Sequence, residues 1–261
     1  MLRILFIGDV VGRPGRQLVA RLLPRLRAEH RPDLVLANAE NAAGGFGVTP
    51  LIGDELLALG IDLLTSGNHV WDKKEVEGYL AKEARLLRPA NYPPEVPGTG
   101  VHVLERRGRL VGVLNLQGRI FMPSIDCPFR VGEREIEQLR VATPLILVDF
   151  HAEATSEKQA FTWWVDGKVS AVLGTHTHVQ TADERVLPGG TAYISDVGMT
   201  GSQDAVIGME RAEAIERFLT QLPRKFTAAS GNLCLCAVVV DVDEGTGRAT
   251  AIRRLQVREG E

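Results

Sequence analysis

Runs of consecutive apolar residues, each followed by a polar loop and then by a helical pattern, recur along the first quarter of the chain. Residues 3–8 and 34–37 form two such runs, and residues 62–65 begin a third. These runs lack the alternation of a strand with one wet face, so they predict strands buried on both faces of a sheet. The repeated order predicts parallel strands with helices between them.

Two helices are predicted between these strands. The first spans residues 14–30 and contains Pro24, which cannot donate the hydrogen bond of an interior helical residue. The second follows Thr49-Pro50 and is expected to end near Gly60. Threonine is a favoured N-cap residue and proline suits the first helical position, so this pair marks a helix start.

The pattern changes after Pro89, where prolines become frequent. Apolar segments at 101–105 and 110–115 enclose the turn Arg106-Arg107-Gly108-Arg109, which predicts an antiparallel hairpin and the start of a second sheet. Further strands are expected at 145–149, 169–173, 185–187 and 191–195, helices at 131–140, 156–165 and 210–219, and a last hairpin at 233–242 and 249–257. This order predicts an α/β fold, one domain over residues 1–261, with two mixed sheets inside and helices outside.

The composition is that of an ordinary globular protein. Of the 261 residues, 44% are hydrophobic and 24% charged, and no apolar run approaches the roughly 20 residues of a membrane helix. Residues 1–9 lack the long apolar stretch of a signal peptide. The spacing of Cys127, Cys234 and Cys236 suggests neither disulfides nor a zinc site. We therefore expect a cytoplasmic protein without membrane partners, and the net charge of −3 gives no reason to expect broad nucleic-acid binding.

Metal-binding residue types follow the carboxyl ends of five predicted strands. They are Asp9, Glu40-Asn41, Asn68-His69, His151 and the pair His176 and His178. Ligands of α/β sheets bind at the carboxyl ends of strands, so these residues are expected to meet. Carboxylate, amide and imidazole groups together suit manganese, iron or zinc, and the set is large enough for two ions.

Each of these signals has an ordinary structural explanation when it is taken alone. An aspartate such as Asp9 is often a helix cap, a lone His151 is more often structural, and Asn68 after Gly67 suits a plain turn. The most specific signal is the His-x-His spacing. Alternation along an extended segment would direct both histidines to one site and Thr177 away from it.

The order of these residues resembles the calcineurin-like metallophosphoesterases, whose motifs are Gly-Asp-x-His, Gly-Asp-x-x, Gly-Asn-His-Asp or Glu, a lone His and Gly-His-x-His. The chain differs where Val11 replaces the first histidine, Glu40 the second aspartate and Val70 the acid after His69. These features are similar to the YmdB-like branch of the family. Its motifs Gly-Asp-Val-Val-Gly, Asn-x-Glu-Asn, Gly-Asn-His-x-Trp and Gly-Thr-His-Thr-His are all present, and the match covers nearly the whole chain.

The resemblance implies a four-layer α-β-β-α sandwich and two metal ions, Fe or Mn in the first place and Zn as an alternative. It implies Asp9, Asn41 and His178 as ligands of one ion, Asn68, His151 and His176 as ligands of the other, Glu40 as the bridge and His69 as the general acid. It also implies hydrolysis of cyclic nucleotide phosphodiesters, including 2′,3′-cyclic forms.

The sequence thus favours a dimetal phosphodiesterase that acts on a small cyclic nucleotide or an RNA end through a metal-bridging hydroxide. Two alternatives stay open: a regulatory RNA- or nucleotide-binding protein with a metal site but little turnover, and a dimetal hydrolase of phosphomonoesters or amides. A homo-oligomer would be unsurprising.

Three further features have two interpretations each. Gly44-Gly45-Phe46-Gly47 predicts a flexible loop beside the site and lacks the Gly-Lys-Ser/Thr ending of a phosphate-binding P-loop. Trp163-Trp164 is expected to pack in the core rather than to stack on a base. Asp72 and Asp196 either orient a ligand histidine or are ordinary surface acids.

Overall fold

The computed structural model describes residues 1–260. Its strands are β1 (Leu2–Ile7), β2 (Asp9–Val10), β3 (Leu34–Asn38), β4 (Leu63–Thr65), β5 (Val101–Arg106), β6 (Arg109–Gln117), β7 (Ile146–His151), β8 (Ala171–Thr175), β9 (Arg185–Val186), β10 (Ala192–Ile194), β11 (Met199–Ser202), β12 (Leu233–Val242) and β13 (Ala249–Arg258). Its helices are α1 (Gly12–His30), α2 (Pro50–Ala58), α3 (Val76–Leu80), α4 (Pro128–Ala142), α5 (Thr155–Trp164) and α6 (Arg211–Thr220).

The strands form two mixed sheets. The first has the order β2-β11-β12-β1-β3-β4, with β13 also paired to β12, and β1, β3 and β4 run parallel in it. The second has the order β5-β6-β7-β8-β10-β9, with β6, β7, β8 and β10 parallel. The predicted hairpin β5–β6 begins the second sheet as expected, and the hairpin β12–β13 returns to the first.

Alternation along the buried strands separates the core into layers. In β1, Ile4 and Phe6 pack between the two sheets, against residues such as Leu147 of β7. Leu5 and Ile7 point the other way and pack against α1 and α2. Because both faces are covered, the strand is apolar at nearly every position.

The outer face of the second sheet is covered in the same manner. Val148 and Phe150 of β7 pack against Phe161 of α5 and Leu139 of α4. Burying each such side chain contributes about 1.5–3 kcal/mol. The result is helices, sheet, sheet and helices in four layers, which confirms the α-β-β-α sandwich expected from the resemblance.

Most predicted elements are present, and their ends lie within three residues of the predicted ones. Thr49 caps α2 through its side chain, which accepts a hydrogen bond from Ile52 N at 3.4 Å, and α1 continues through Pro24. Short β2, β11 and α3 were not predicted, because two to five residues give too little periodicity to recognise. Among the described residues, no helix combines the length and apolarity needed to cross a bilayer.

Candidate metal centre

The predicted metal-binding residues lie at the carboxyl ends of parallel strands in both sheets. Asp9 follows β1, Glu40 follows β3 and Asn68 follows β4 in the first sheet, while His151 ends β7 and His176 follows β8 in the second. The two sheets pack face to face through their shared core, so these ends meet at one edge of the sandwich. The predicted convergence is therefore present in the fold.

One group of potential ligands is centred on His151. Its Nε2 lies 3.0 Å from Glu40 Oε1, 3.1 Å from Asn68 Oδ1 and 3.0 Å from His176 Nδ1. Glu40, His151 and His176 offer ligand atoms that all lie within 4.8 Å of one another. One ring nitrogen has at most one proton and cannot bond three such atoms. The donor set fits a metal ion.

A hydrogen-bonded chain behind His151 orients its imidazole. Thr175 Oγ1 donates to Asp149 Oδ1 at 2.7 Å, and His151 Nδ1 lies 2.9 Å from the same hydroxyl oxygen. Because the hydroxyl proton is directed to Asp149, His151 Nδ1 must donate to the threonine. The lone pair of Nε2 is then directed at the potential ligands, as a metal-binding imidazole requires.

A second group contains Asp9, Asn41 and His178. His178 Nδ1 donates to the Ile207 carbonyl at 2.9 Å, which leaves Nε2 as the nitrogen that faces Asn41 Nδ2 at 3.1 Å and Asp9 Oδ1 at 3.8 Å. Asp9 is fully buried, and its Oδ1 has no hydrogen-bond partner. A buried carboxylate oxygen without a donor is costly, and a cation beside it would compensate its charge.

Glu40 lies between the two groups. Its Oε1 contacts His151 Nε2 and also accepts a hydrogen bond from Asn41 Nδ2 at 3.2 Å. Its Oε2 accepts from the backbone N–H of His69 at 2.9 Å. This position, with contacts to both groups, suits a carboxylate that bridges two cations.

The protein charges alone perturb the titration of this cluster. Burial raises the pKa of Asp9. Burial would also raise the pKa of Glu40, but the His151 imidazole lowers it to about 2. Burial acts to lower the pKa of His151, but the Glu40 charge raises it to about 9. Burial and the neighbouring His151 lower the pKa of His176 to about 3. Such opposed shifts in one buried cluster are typical of functional sites.

His176 and His178 reach the site from a turn rather than from the extended segment that was predicted. They lie beyond the end of β8 and have left-handed backbone angles, with φ of 106° and 66°, so the prediction from strand alternation was wrong. Such angles cost on the order of 1–3 kcal/mol for residues other than glycine. The turn is held by Asp196, whose Oδ2 accepts from Thr177 N at 2.9 Å and contacts Lys158 Nζ at 3.0 Å.

His69 lies beside the potential ligands and faces a cavity. Asp72 Oδ2 lies 2.8 Å from His69 Nδ1, so Asp72 orients this histidine. Asp196, the other acid considered for such a role, instead orients the backbone turn at Thr177. The cavity has a volume of about 430 Å³. Its lining combines the potential ligands Glu40, Asn41, His176 and His178 with His69, Gly45, Phe46, Glu153, Thr177, Val206, Ile207, Met209, Ala214, Arg217, Phe218 and Phe226.

Gly67 permits close approach of the backbone to the His151 ring. A Cβ atom added at Gly67 would lie 2.1 Å from His151 Cδ2. No side chain fits at that distance, so the glycine before Asn68 is required by the packing of the centre rather than by turn conformation alone.

Some contributors were not predicted. Glu153 Oε2 lies 3.1 Å from His176 Nε2 and fixes the orientation of that ring, but nothing in the sequence separates Glu153 from other surface acids. The prediction for the tryptophans was also wrong. Trp163 and Trp164 are both 53% exposed and lie outside the cavity lining, because their positions on α5 face away from the sheet that Phe161 packs against.

Comparisons with known proteins show which family the chain belongs to. The YmdB-like protein family model matches residues 5–255. The chain is 49% identical to the 2′,3′-cyclic-nucleotide 2′-phosphodiesterase of Bacillus subtilis strain 168, over 99% of this chain and 98% of the relative.

Two solved structures superpose over almost the whole chain. A protein from Thermus thermophilus is 46% identical with a TM-score of 0.93, over 99% of this chain and 100% of that one. A structure described as a novel phosphatase from Mycoplasma pneumoniae is 34% identical with a TM-score of 0.92, over 98% of this chain and 93% of that one. The chain therefore belongs to the YmdB-like protein family.

Proposed function

We propose that this protein is a metal-dependent phosphodiesterase that hydrolyses 2′,3′-cyclic phosphates of nucleotides or RNA ends. The observation that supports it best is the crowding of Glu40, Asn68 and His176 around His151 Nε2, next to a cavity that also exposes His69. The name of the Bacillus subtilis relative, at 49% identity, points to the same bond.

The proposed centre holds two transition-metal ions, with iron or manganese in the first place. Asp9, Asn41 and His178 would hold one, Asn68, His151 and His176 the other, and Glu40 would bridge them. Rotating the Asn41 amide would present its oxygen instead of its nitrogen. When bound, two such ions polarise phosphoryl oxygens and lower the pKa of a bound water toward neutrality.

His69 is proposed to protonate the leaving ribose oxygen. Its Nδ1 is fixed by Asp72, and among residues 1–260 no hydrogen-bond partner occupies Nε2, which is free for substrate. In hydrolysis the oxygen of a water molecule bonds to phosphorus and the bond from phosphorus to O2′ breaks. O2′ takes a proton from His69, the proton that the water loses returns to solvent, and a 3′-phosphate remains. A positioned acid of this kind contributes a factor of about 10²–10⁴.

The aromatic part of the cavity lining suits a nucleobase. Phe46 and Phe226 stack with ring centroids 6.3 Å apart, and Met209 lies beside them. A volume of about 430 Å³ lies in the range of small-ligand sites. The polar wall would thus bind the phosphate and the apolar wall the base.

The test is hydrolysis of bis-p-nitrophenyl phosphate, 2′,3′-cyclic AMP and p-nitrophenyl phosphate by the purified protein with and without added Mn²⁺. We expect cleavage of both diesters, dependence on metal, and 3′-AMP as product. His69→Ala should lower kcat by about 10²–10⁴ with metal content unchanged.

Other outcomes would favour the alternatives. Cleavage of the monoester alone would indicate a phosphomonoesterase. Metal binding with tight nucleotide binding and no cleavage would indicate a regulatory binding protein. Either result would overturn the phosphodiesterase proposal.

A further inference from the structure

A second cavity adjoins the metal centre. It has a volume of about 700 Å³ and shares Phe46, His69, Arg217 and Phe226 with the first cavity. Its remaining lining residues are Ala43, Gly44, Lys73, Arg224 and Lys225. The shared residues make the two cavities neighbours, and the aromatic rings of Phe46 and Phe226 belong to the lining of both.

The lining of the second cavity is strongly basic. It contains Lys73, Arg217, Arg224 and Lys225 and no carboxylate, although the chain as a whole has a net charge of −3. Arg224 pairs with Glu216. Within residues 1–260, Lys73, Arg217 and Lys225 have no carboxylate at ion-pair distance. Three unneutralised cations around one cavity favour an anionic ligand.

Two of these cations are held in position by neighbouring residues. The stem of Lys73 packs against Gly47, where an added Cβ would lie 2.8 Å from Lys73 Cγ. The Arg217 guanidinium lies over the Phe226 ring at 5.4 Å. Held side chains lose less entropy when they bind a ligand than free ones do.

Two aromatic rings lie beside His69 in the lining of both cavities. Phe46 contacts the His69 ring edge-on with centroids 5.0 Å apart, and it stacks on Phe226 at 6.3 Å. Aromatic faces bind nucleobases with little regard to sequence, and cations beside them bind the phosphates of single strands. This combination distinguishes a nucleic-acid strand from a simple inorganic anion.

We propose that the second cavity binds the phosphodiester that precedes the terminal nucleotide of an RNA fragment ending in a 2′,3′-cyclic phosphate. This inference rests on the proposed function. The preferred substrates are then oligoribonucleotides of at least two residues rather than free cyclic mononucleotides. Lys73, Arg217 and Lys225 determine this preference, and Phe46 and Phe226 stack against the bases.

The substrate test compares kcat/KM for four compounds: 2′,3′-cyclic AMP, its 5′-phosphorylated form, the dinucleotide ApA with a terminal 2′,3′-cyclic phosphate, and the same dinucleotide with a neutral methylphosphonate linkage. We expect kcat/KM for the charged dinucleotide to exceed kcat/KM for 2′,3′-cyclic AMP by about tenfold or more, and the methylphosphonate dinucleotide to lose this gain. If only the 5′-phosphorylated mononucleotide gains, the cavity is a site for a terminal phosphate and the RNA proposal is wrong.

The protein test uses Lys73→Gln/Lys225→Gln, with the exposed Lys74→Gln as the matched control because Lys74 adjoins Lys73 but does not line the cavity. The double variant should lower the ratio of dinucleotide to mononucleotide kcat/KM by about tenfold and flatten the dependence on salt. Lys73→Arg/Lys225→Arg should restore the ratio, and the control should keep it. An unchanged ratio in the double variant would overturn the proposal.

Failure of the proposed function gives a different result. If no cyclic phosphate is cleaved, a binding experiment tests whether the second cavity binds RNA. It measures by fluorescence anisotropy how tightly the protein binds fluorescein-labelled triadenylate with a 3′-phosphate. Binding weakened about tenfold by the double variant and not by Lys74→Gln would support the cavity as an RNA site without the activity. Binding that neither variant changes would reject it.

Discussion

At the scale of single residues, the candidate metal centre depends on two contacts of the His151 imidazole. The first is with Gly67. Because an added Cβ would lie 2.1 Å from the imidazole, Gly67→Ala must displace either His151 or the Asn68 loop. We expect it to abolish high-affinity metal binding, measured by metal analysis after dialysis. Gly78→Ala is the matched control, since nothing lies within 4 Å of a Cβ there; equal metal content in both variants would contradict the account.

The second contact is the hydrogen bond from His151 to Thr175. Thr175→Val keeps the volume but removes the hydroxyl between His151 and Asp149. Losing a group that orients a ligand histidine typically lowers metal affinity about 10–100-fold, and this should appear in a competitive titration with a chelator. Thr162→Val removes a buried hydroxyl bonded only within α5 and should leave metal affinity unchanged. Equal affinity in Thr175→Val and the wild type would refute the role of Thr175.

At the scale of elements, one buried ion pair ties α5 to the turn that contains the two histidines. Lys158 and Asp196 are 2% and 1% exposed and lie 3.0 Å apart, and Lys158 Nζ also donates to the Thr175 carbonyl. Lys158→Met would leave Asp196 buried without its cation. We expect a loss of about 3–5 kcal/mol in the free energy of unfolding, measured with urea.

The control for this prediction is the exposed pair Lys168–Glu133, with side chains 42% and 35% exposed. Lys168→Met should cost less than about 1 kcal/mol. Similar losses in the free energy of unfolding for Lys158→Met and Lys168→Met would mean that the buried pair contributes no more to stability than the exposed pair.

Asp183 fastens the segment after His178 to the end of β10. It accepts hydrogen bonds from Thr181 Oγ1 at 2.6 Å and from Ser195 N at 3.1 Å. Burial would raise the pKa of Asp183, but bonds from the Ser195 and Thr181 hydroxyls lower it below its usual value. Since the folded pKa is lowered, the ionised group stabilises the fold above the unfolded pKa, and this stabilisation is lost as pH falls through the folded pKa.

Asp183→Asn mimics the protonated carboxyl. We therefore expect the variant to be less stable than the wild type at pH 7 in urea unfolding, and the gap to narrow as pH falls below about 3.9, the ordinary pKa of aspartate. A gap that is constant from pH 7 to pH 3 would show that the charge of Asp183 does not contribute.

The elements themselves differ in how far the sequence predicts them. Long helices such as α1 and the buried strands are evident from periodicity and apolar runs. The turn around His176 and His178 is not, because its left-handed angles are maintained by Asp196 and Ile207, which are distant in sequence. Such tertiary constraint leaves no local pattern.

At the scale of the whole molecule, the centre is produced by packing two sheets so that the carboxyl ends of their parallel strands coincide. This explains why the convergence of Asp9, Glu40 and His151 could be predicted from strand ends alone. The part of the cavity lining that comes from the segment around α6 could not be predicted. Phe226 and Arg217 come from the segment around α6, and its packing over the site depends on contacts that no strand or helix pattern encodes.

The most direct test of the account is the metal content of the purified protein after manganese loading and gel filtration, measured by mass spectrometry. We expect about two ions per chain in the wild type and loss of both in Glu40→Ala and in the conservative Glu40→Gln. Glu184→Gln, which disturbs only an ion pair with Arg254, should keep them. A folded wild-type protein without bound metal, or Glu40 variants that retain two ions, would contradict the account.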